Sequence, residues 1–564
     1  MKIKKILLIW PYVERKKNSR QVTSYNLAKP RFPLGIGYLA SYLEKNGYEA
    51  EILDLAAENP NPTEMEECVR WGLSDEEIEE RIRRSDAQLI GVSQMFSYLD
   101  PVCRKIFSMI KKNNPGTITA WGGTHPTCVP RECMECSDVD YIVLGEGEKP
   151  LIELIKMVNE GRSPEGMKSL GYRDQEGKTV INNERIWIED LDEHVLPARE
   201  KVDMTVYAGC TFDNIRVFNM VTSRGCPYKC TFCTASTFYQ QRYKGRSPRK
   251  VVDEMEMLVK KYGAEMIIVD DENLTFDMKR IEQIMDIMIE RELKVQWYAE
   301  VGLSISRLNR DIISKMKKTG FKELRLALES GDAQMLKVMK KPLVLRQARE
   351  AVQWAREADI RVICFLLMGM PGETLEQMQN TVDFAAEIGF DWHVISMVLP
   401  LPGTQIYKDL MAKGFKVDLV DLERYTLPVP GVSTIPHEDL IAFREKANNF
   451  LNFENNYHLT RGEPLLAIRE FSNLAKGYPN LEKIRFFLGL ACYKAGNFAE
   501  ALKDFEHVYK LNPNYRNVAQ WVEFLRDDRV YHEGAAFCRS REEFLNYSYG
   551  HIATEKPASV SLNA

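Results

Sequence analysis

The stretch TSRGCPYKCTFCTAS, residues 222–236, sets Cys226, Cys230 and Cys233 four and then three positions apart on one short loop. Thiolates are soft ligands that suit zinc or an iron–sulfur cluster, and either usually takes four protein ligands. The nearest further cysteine upstream, Cys210, lies sixteen residues before Cys226. A tetrahedral zinc site would need it or a more distant residue. A cluster held by three cysteines leaves one iron open to a substrate, and three inert buried thiols are the remaining reading. The residues alone leave all three standing.

Around this loop, short apolar runs alternate with amphipathic segments. FNMVTS, which leads into it, and downstream MIIVDD, VQWYAEV, ELRLALES, RVICFLLMG and HVISMVLP are each followed by a helical pattern or a loop. About six βα units in succession predict a partial (β/α)6 TIM-type barrel over 214–400, with its chemistry at the carboxyl ends of the strands. Upstream, ILLIW, AEILDL, AQLIGVS, TITAWGG and YIVLGEGE predict a doubly wound, Rossmann- or flavodoxin-like α/β domain over 1–160. Its strands end at Pro11-Tyr12, Ser93-Gln94, Gly122-Gly123-Thr124-His125 and Gly145-Glu146-Gly147, where such sheets bind ligands. Residues 161–213 read as a linker with a hairpin at LGYRDQEGKTVIN, and 401–452 as a helical connection. Over 453–530 the pairs Gly462/Gly496, Ala467/Ala501, Phe471/Phe505 and Pro479/Pro513 each repeat at 34 residues, the tetratricopeptide (TPR) period of an all-α unit. Residues 531–564 read as a tail.

Composition narrows the classes. The 564 residues are 45% apolar and 28% charged, with 76 Lys+Arg against 81 Asp+Glu, so this is an ordinary globular chain of several domains with no whole-chain attraction for nucleic acid. The longest apolar stretch, Val362 to Met370, falls far short of the ~20 residues of a membrane helix. The amino-terminal run Ile6 to Trp10 is too short for a secretory signal. A cytoplasmic location is therefore expected, where twelve cysteines suggest metal ligands over disulfides.

The cysteine string resembles the radical S-adenosylmethionine (SAM) superfamily signature Cys-x3-Cys-x2-Cys, with aromatic Phe232 before the third cysteine and Phe218 to Ser223 as the preceding strand. The resemblance implies a [4Fe–4S] cluster on Cys226, Cys230 and Cys233 whose open iron binds SAM and cleaves it to a 5′-deoxyadenosyl radical. It further implies Asp271 of VDDEN near the SAM amino group, Glu329 and Ser330 of LALESGD at the ribose and methionine, and Gly369 and Gly372 of FLLMGMPGET beside the adenine. The arginine that the family often carries near Gly302 is absent, and Arg325 and Arg361 are left unassigned.

FPLGIGYLASYLEKNGYEAEILD, GGTHPT and YIVLGEGE resemble the amino-terminal segment of the cobalamin-dependent branch. This implies cobalamin held by Pro11, Ser93, Gly122, Gly123, Thr124, His125, Gly145 and Glu146. No Gly-x-Gly-x-x-Gly follows the first strand, which argues against a dinucleotide. The cobalt-ligating pattern Asp-x-His-x-x-Gly is also missing, since Asp192-Glu193-His194 is followed by Pro197 at the glycine position. His125 is thus expected to bond its loop or the nucleotide tail, leaving the lower face of cobalt without a protein ligand. Cys133 and Cys136 beside Cys128 read as structural. Tyr239, Tyr243, Trp297 and Tyr298 are either core or pocket lining. The branch implies a methyltransferase acting on an unactivated carbon of a small-molecule or lipid substrate through methylcobalamin, reduced by a flavodoxin or ferredoxin. Alternatives are an oxidative cyclase or ring-rearranging enzyme with the same cofactors, or a scaffold whose helical repeats bind a protein partner.

Overall fold

Apolar runs such as those of Lys5–Trp10 and Leu89–Ser93 form strands buried on both faces, as a parallel sheet covered by helices requires. The computed structural model describes residues 2–17, 30–193, 196–210, 215–300, 302–419, 422 and 425–527. His194 and the tail 531–564 lie outside them. The chain divides into two units, 1–378 with 396–441, and 379–395 with 442–564.

In the first unit the amino-terminal strands are β1 (Lys5–Trp10), β2 (Glu49–Asp54), β3 (Leu89–Ser93), β4 (Ile118–Gly122), β5 (Tyr141–Val143), β6 (Leu170–Arg173) and β7 (Thr179–Asn182). They form one sheet in the order β7-β6-β5-β4-β3-β1-β2. Its five parallel strands follow the 2-1-3-4-5 order of flavodoxin-like folds. Period-two alternation sorts β1 between two cores. Ile6 and Leu8 join Ile36, Ala40 and Leu151 on one face, while Leu7 and Ile9 join Ile78, Ile82 and Phe107 on the other. The hairpin expected inside the linker forms, but β6 pairs antiparallel with β5 and extends this sheet. The first domain therefore runs past residue 160. A small antiparallel sheet of Val13–Lys16, Pro62–Glu64 and Cys68–Trp71 was not foreseen, because its strands are short and polar.

The barrel strands are β8 (Arg216–Met220), β9 (Met266–Val269), β10 (Gln296–Ala299), β11 (Glu323–Glu329) and β12 (Arg361–Met368). The sixth, β13 (Trp392–Met397), straddles the boundary between the units. β8, β9 and β10 pair in parallel, β11 pairs in parallel with β12, and a parallel bridge from Trp297 to Phe321 links the two sets. Along β11, Leu324, Leu326 and Leu328 are fully buried while Glu323, Arg325, Ala327 and Glu329 are half-buried. One face thus meets the helices and the other a polar interior. Arg325 and Arg361 belong to that interior. Arg325 Nη1 donates to Glu300 Oε1 at 2.8 Å and stacks over Tyr298, and Arg361 pairs with Glu323. Trp297 is core, with its indole donating to Thr319 O. Among the described residues no helix is long and apolar enough to cross a membrane.

In the second unit, Pro464–Gly477, Glu482–Lys494, Phe498–Leu511 and Val518–Leu525 are helices. The repeated Ala467, Ala501, Phe471 and Phe505 have no exposed surface, and Gly462 and Gly496 both take a left-handed φ near +80° at helix ends. The 34-residue spacing therefore marks core and cap positions. His458 Nε2 lies 2.8 Å from Asp391 Oδ1, and its Nδ1 lies 2.8 Å from Glu463 Oε2. Burial acts to lower its pKa, but hydrogen bonds to the two carboxylates outweigh this and hold it above the ordinary value. A raised histidine stabilises fully below its unfolded pKa and loses that contribution as pH rises through the folded one. His458→Gln is expected to lower the unfolding temperature of this unit by several degrees near pH 6 and by less near pH 9, measured by calorimetry at both pH values.

Candidate active site

Ser223–Gly225 pairs with Tyr243–Gly245, so the cysteine loop leaves and returns through a two-stranded clasp. Gly225 has φ +87°, and a Cβ there would lie 2.2 Å from Arg242 O, so the clasp closes only around glycine. The loop is also held in its middle, where Thr231 N donates to Met339 O and Gln405 N donates to Thr231 O. Phe232 packs against a cluster containing Met335, Met339 and Met370. Cys226, Cys230 and Cys233 are half-buried free thiols. Burial pushes Cys230 up to about 12 and Cys233 up to about 11. Three such thiols on one loop fit a metal cluster, whose charge would hold them ionised. Asn273 Nδ2 stands 3.5 Å from Cys226 Sγ, and its Oδ1 is buried without a hydrogen-bond partner among the described residues.

The strand-end residues divide into those that face this loop and those that brace it. Asp271, expected at the SAM amino group, is sealed. It accepts from Thr222 N, Thr222 Oγ1 and Ser223 Oγ at 2.5–2.6 Å, so it fixes the approach to the cysteines. Its neighbour Glu272 accepts from Gly225 N at 2.9 Å and from the Tyr239 hydroxyl at 2.8 Å. Ser330 is also fully buried, and its Oγ accepts from Asp332 N in the turn after β11. Glu329 ends β11 at a bulge with φ +66°, a strained conformation for a non-glycine residue, and its Oε1 meets Lys341 Nζ at 3.2 Å. Burial works against the Lys341 ammonium, yet Glu329 and the nearby Cys230 keep its pKa raised. Gly369 and Gly372 both take positive φ, and a Cβ on Gly372 would meet nothing within 4 Å. Glu373 shapes their loop by accepting from Gly369 N and Met370 N, at 2.7 and 3.0 Å.

In the first domain, Gln94 N donates to Gly122 O, His125 N donates to Gln94 O and Gly145 N donates to Thr127 Oγ1. These bonds tie Ser93, Gly122, Gly123, Thr124 and Gly145 into one rim. A Cβ on Gly123, φ +106°, would strike Gln94 O at 2.3 Å. Three of the expected ligand contacts are engaged elsewhere. Pro11 is buried before the small antiparallel sheet, and Tyr12 after it lies under the Arg70 guanidinium. His125, 2% exposed, meets Ser97 Oγ at 3.0 Å through Nδ1 and Asp100 Oδ1 at 3.3 Å through Nε2, so its ring bonds the turn and helix that follow β3, not its own loop. Glu146 accepts from Ile188 N and from Arg224 Nη1, while Glu148 accepts from Arg224 Nη2 at 2.8 Å. Cys133 is in the core, with Cys136 packed against it.

The two sites meet. A Cβ on Gly403 would lie 2.6 Å from Cys128 Sγ and 3.4 Å from Thr237 Cγ2, and Thr237 Oγ1 donates to Gly403 O. The end of Thr124–Cys128 thus reaches the helix Ala235–Phe238 that follows the cysteines. Sequence reading missed Arg224, Glu148 and Lys341, and left the role of Tyr239 open between core and pocket lining. The charges in SRGC and GEGE were the available signals, but nothing in either string names its partner.

The Radical SAM superfamily pattern matches residues 220–385, the B12 binding domain pattern 26–155 and the tetratricopeptide repeat pattern 483–515. The chain thus carries a B12-binding domain followed by a radical SAM domain. It is 29% identical over 469 residues to cytidylyl-2-hydroxyethylphosphonate methyltransferase of Streptomyces wedmorensis, covering 77% of the chain and 86% of that protein. It is 27% identical over 402 residues to anaerobic magnesium-protoporphyrin IX monomethyl ester cyclase of Rubrivivax gelatinosus, covering 71% and 69%. Its fold matches the radical SAM methyltransferase TsrM of Kitasatospora setae, solved with cobalamin and a [4Fe–4S] cluster, at TM-score 0.63 and 18% identity over 79% of this chain and 91% of that one.

Glu373 of the radical SAM domain is 2% exposed, and burial pushes its carboxyl from the ordinary 4.5 to about 7. Ionisation therefore penalises the folded state increasingly between about pH 4.5 and 7. Glu373→Gln keeps an oxygen to accept from Gly369 N and Met370 N. Its unfolding temperature without ligands should exceed that of the wild type by several degrees at pH 8 and match it near pH 4.5, read by thermal melts across that range.

Proposed function

We propose that the chain is a cobalamin-dependent radical SAM methyltransferase that adds a methyl group to an unactivated carbon of a small-molecule or lipid substrate. The observation that carries this reading is the meeting of the cysteine loop with the first-domain rim at Cys128, Thr237 and Gly403. A reaction that uses a cluster and a corrinoid together needs both at one cavity. When bound, the cluster and SAM supply one-electron activation of a carbon–hydrogen bond, and cobalamin carries the methyl group.

Cys226, Cys230 and Cys233 would be the cluster ligands in this reading, and the half-burial of the three thiols would limit the access of water to the cluster. Asn273, Glu329 and Lys341 provide polar atoms beside the cluster, and the open space at Gly372 gives a flat ligand room. Ser93, Gly122, Gly123, Thr124 and Gly145 form the cobalamin rim, with Asp271, Ser330, His125 and Glu146 holding these loops in position. We further assign it to the cytoplasm, with a flavodoxin or ferredoxin as reductant and a protein partner at the helical repeats. The cyclase among its relatives favours a second reading, oxidation or ring closure with the same cofactors.

The test is anaerobic purification with cobalamin supplied, then assay of iron, corrinoid, 5′-deoxyadenosine and product mass. The wild type should hold a four-iron cluster and one cobalamin and yield a product heavier by one methylene. The Cys226/Cys230/Cys233→Ala variant should lose iron and reduce 5′-deoxyadenosine to background while keeping cobalamin. Product without added carbon would replace methylation with the second reading, and iron without cobalamin would sink both.

A further inference from the structure

Other interior guanidinium groups among the described residues meet carboxylates or, like Arg280, main-chain carbonyls. Arg70 pairs with Glu14 and Asp75, Arg199 and Arg246 with Glu254, and Arg224 with Glu146 and Glu148. Arg185 is different. Its Nε and Nη1 are sealed from solvent and have no hydrogen-bond partner among the described residues. Its backbone is nonetheless fixed on both sides: Ser169 N donates to Glu184 O, Ile186 N to Ser169 Oγ and Ile188 N to Glu146 Oε2. The side chain lies against the rim, since a Cβ on Gly145 would stand 3.4 Å from Arg185 Cδ and 3.8 Å from Nε. Gly145 is bonded to Thr127, next to the Cys128 that meets the cysteine-loop side.

Among the described residues no counterion is at hand. Cys128, the ionisable neighbour of the guanidinium, is kept a neutral thiol by burial, which pushes it up to about 12. Burial lowers Arg185 only to about 10, so it remains cationic at neutral pH. Arg185 as a whole is half-buried, but its sealed Nε and Nη1 have neither water nor an anion to meet, which is costly unless a ligand completes them. Its planar fork of N–H donors is shaped for two oxygens of an oxyanion.

We propose that Arg185 is the anion-recognising residue of this crevice and binds a phosphate-type group, either the phosphodiester of the cobalamin nucleotide tail or a phosphate or phosphonate on the substrate. The first source rests on the cobalamin reading and the second does not. Cobalamin has amide side chains around the corrin and a single phosphodiester in its tail, so loss of the tail removes the anion while keeping the ring.

The wild type, Arg185→Gln and Arg185→Lys are titrated anaerobically with aquacobalamin and with diaquacobinamide, which lacks the tail and its phosphate. Binding is read from the corrinoid spectrum and by equilibrium dialysis, and thermal melts are recorded with increasing inorganic phosphate or methylphosphonate. For the tail, the wild type should bind cobalamin about tenfold or more tightly than cobinamide. Arg185→Gln should bind the two alike, with Arg185→Lys between them. For the substrate, corrinoid binding should be unchanged by the variants, while a saturable rise in unfolding temperature with phosphate or phosphonate disappears in Arg185→Gln. Absence of both effects overturns the proposal. A fall of several degrees in the ligand-free unfolding temperature of Arg185→Gln also overturns it, because removing an uncompensated buried cation should leave stability equal or higher. If the wild type binds neither corrinoid, the cobalamin reading fails and the phosphate melts alone decide the role of Arg185.

Discussion

The position of the candidate active site depends on Arg224, which stands two residues before Cys226 and reaches into the first domain to meet Glu146 and Glu148. Burial disfavours its charge, but the two carboxylates more than restore it and hold its pKa high. Glu146 also holds Ile188 N at 3.0 Å, so the chain leaving the first sheet is fastened to the same point. Removing one partner of such a buried group strands the other charges and typically costs about 3–5 kcal/mol. The cysteine loop and the strand-end rim consequently keep their registration through one electrostatic knot, to which Tyr239 and Glu272 add a second hydrogen-bonded layer.

What the sequence made legible was local. Cys226, Cys230 and Cys233 could be read because metal ligation writes its spacing into adjacent residues. The helical repeat was legible because Phe471 and Phe505 recur at the same core position of successive helices. The parallel strands followed from their buried apolar runs. Direction was harder to read. Asp271, Ser330, His125 and Glu146 do lie at strand ends, but whether a side chain there turns outward or back into its own loop is set by partners far along the chain. Asp271 turns to Thr222, and His125 to Asp100. The same limit concealed Lys341, which reaches Glu329 across the loop after β11. The hairpin was found but assigned to a linker, because a periodic pattern specifies a strand and not the sheet that it joins.

The barrel shows a related division of labour. The half-buried face of β11 carries Glu323 and Arg325, and ion pairs extend it to Glu300 and Arg361. Charged residues on an interior strand face are tolerable because each meets a partner of opposite charge. The leucines between them carry the packing against the helices. A single strand thus serves stability on one side and a polar interior on the other.

Gly123 gives the first-domain rim a different character. Its closeness to the Gln94 carbonyl leaves no room for a side chain, so this part of the crevice floor is bare main chain. Peptide groups have the same donors and acceptors whatever residues surround them. The shape of this floor is therefore set by main chain, and the residues around it are free to change without rebuilding it.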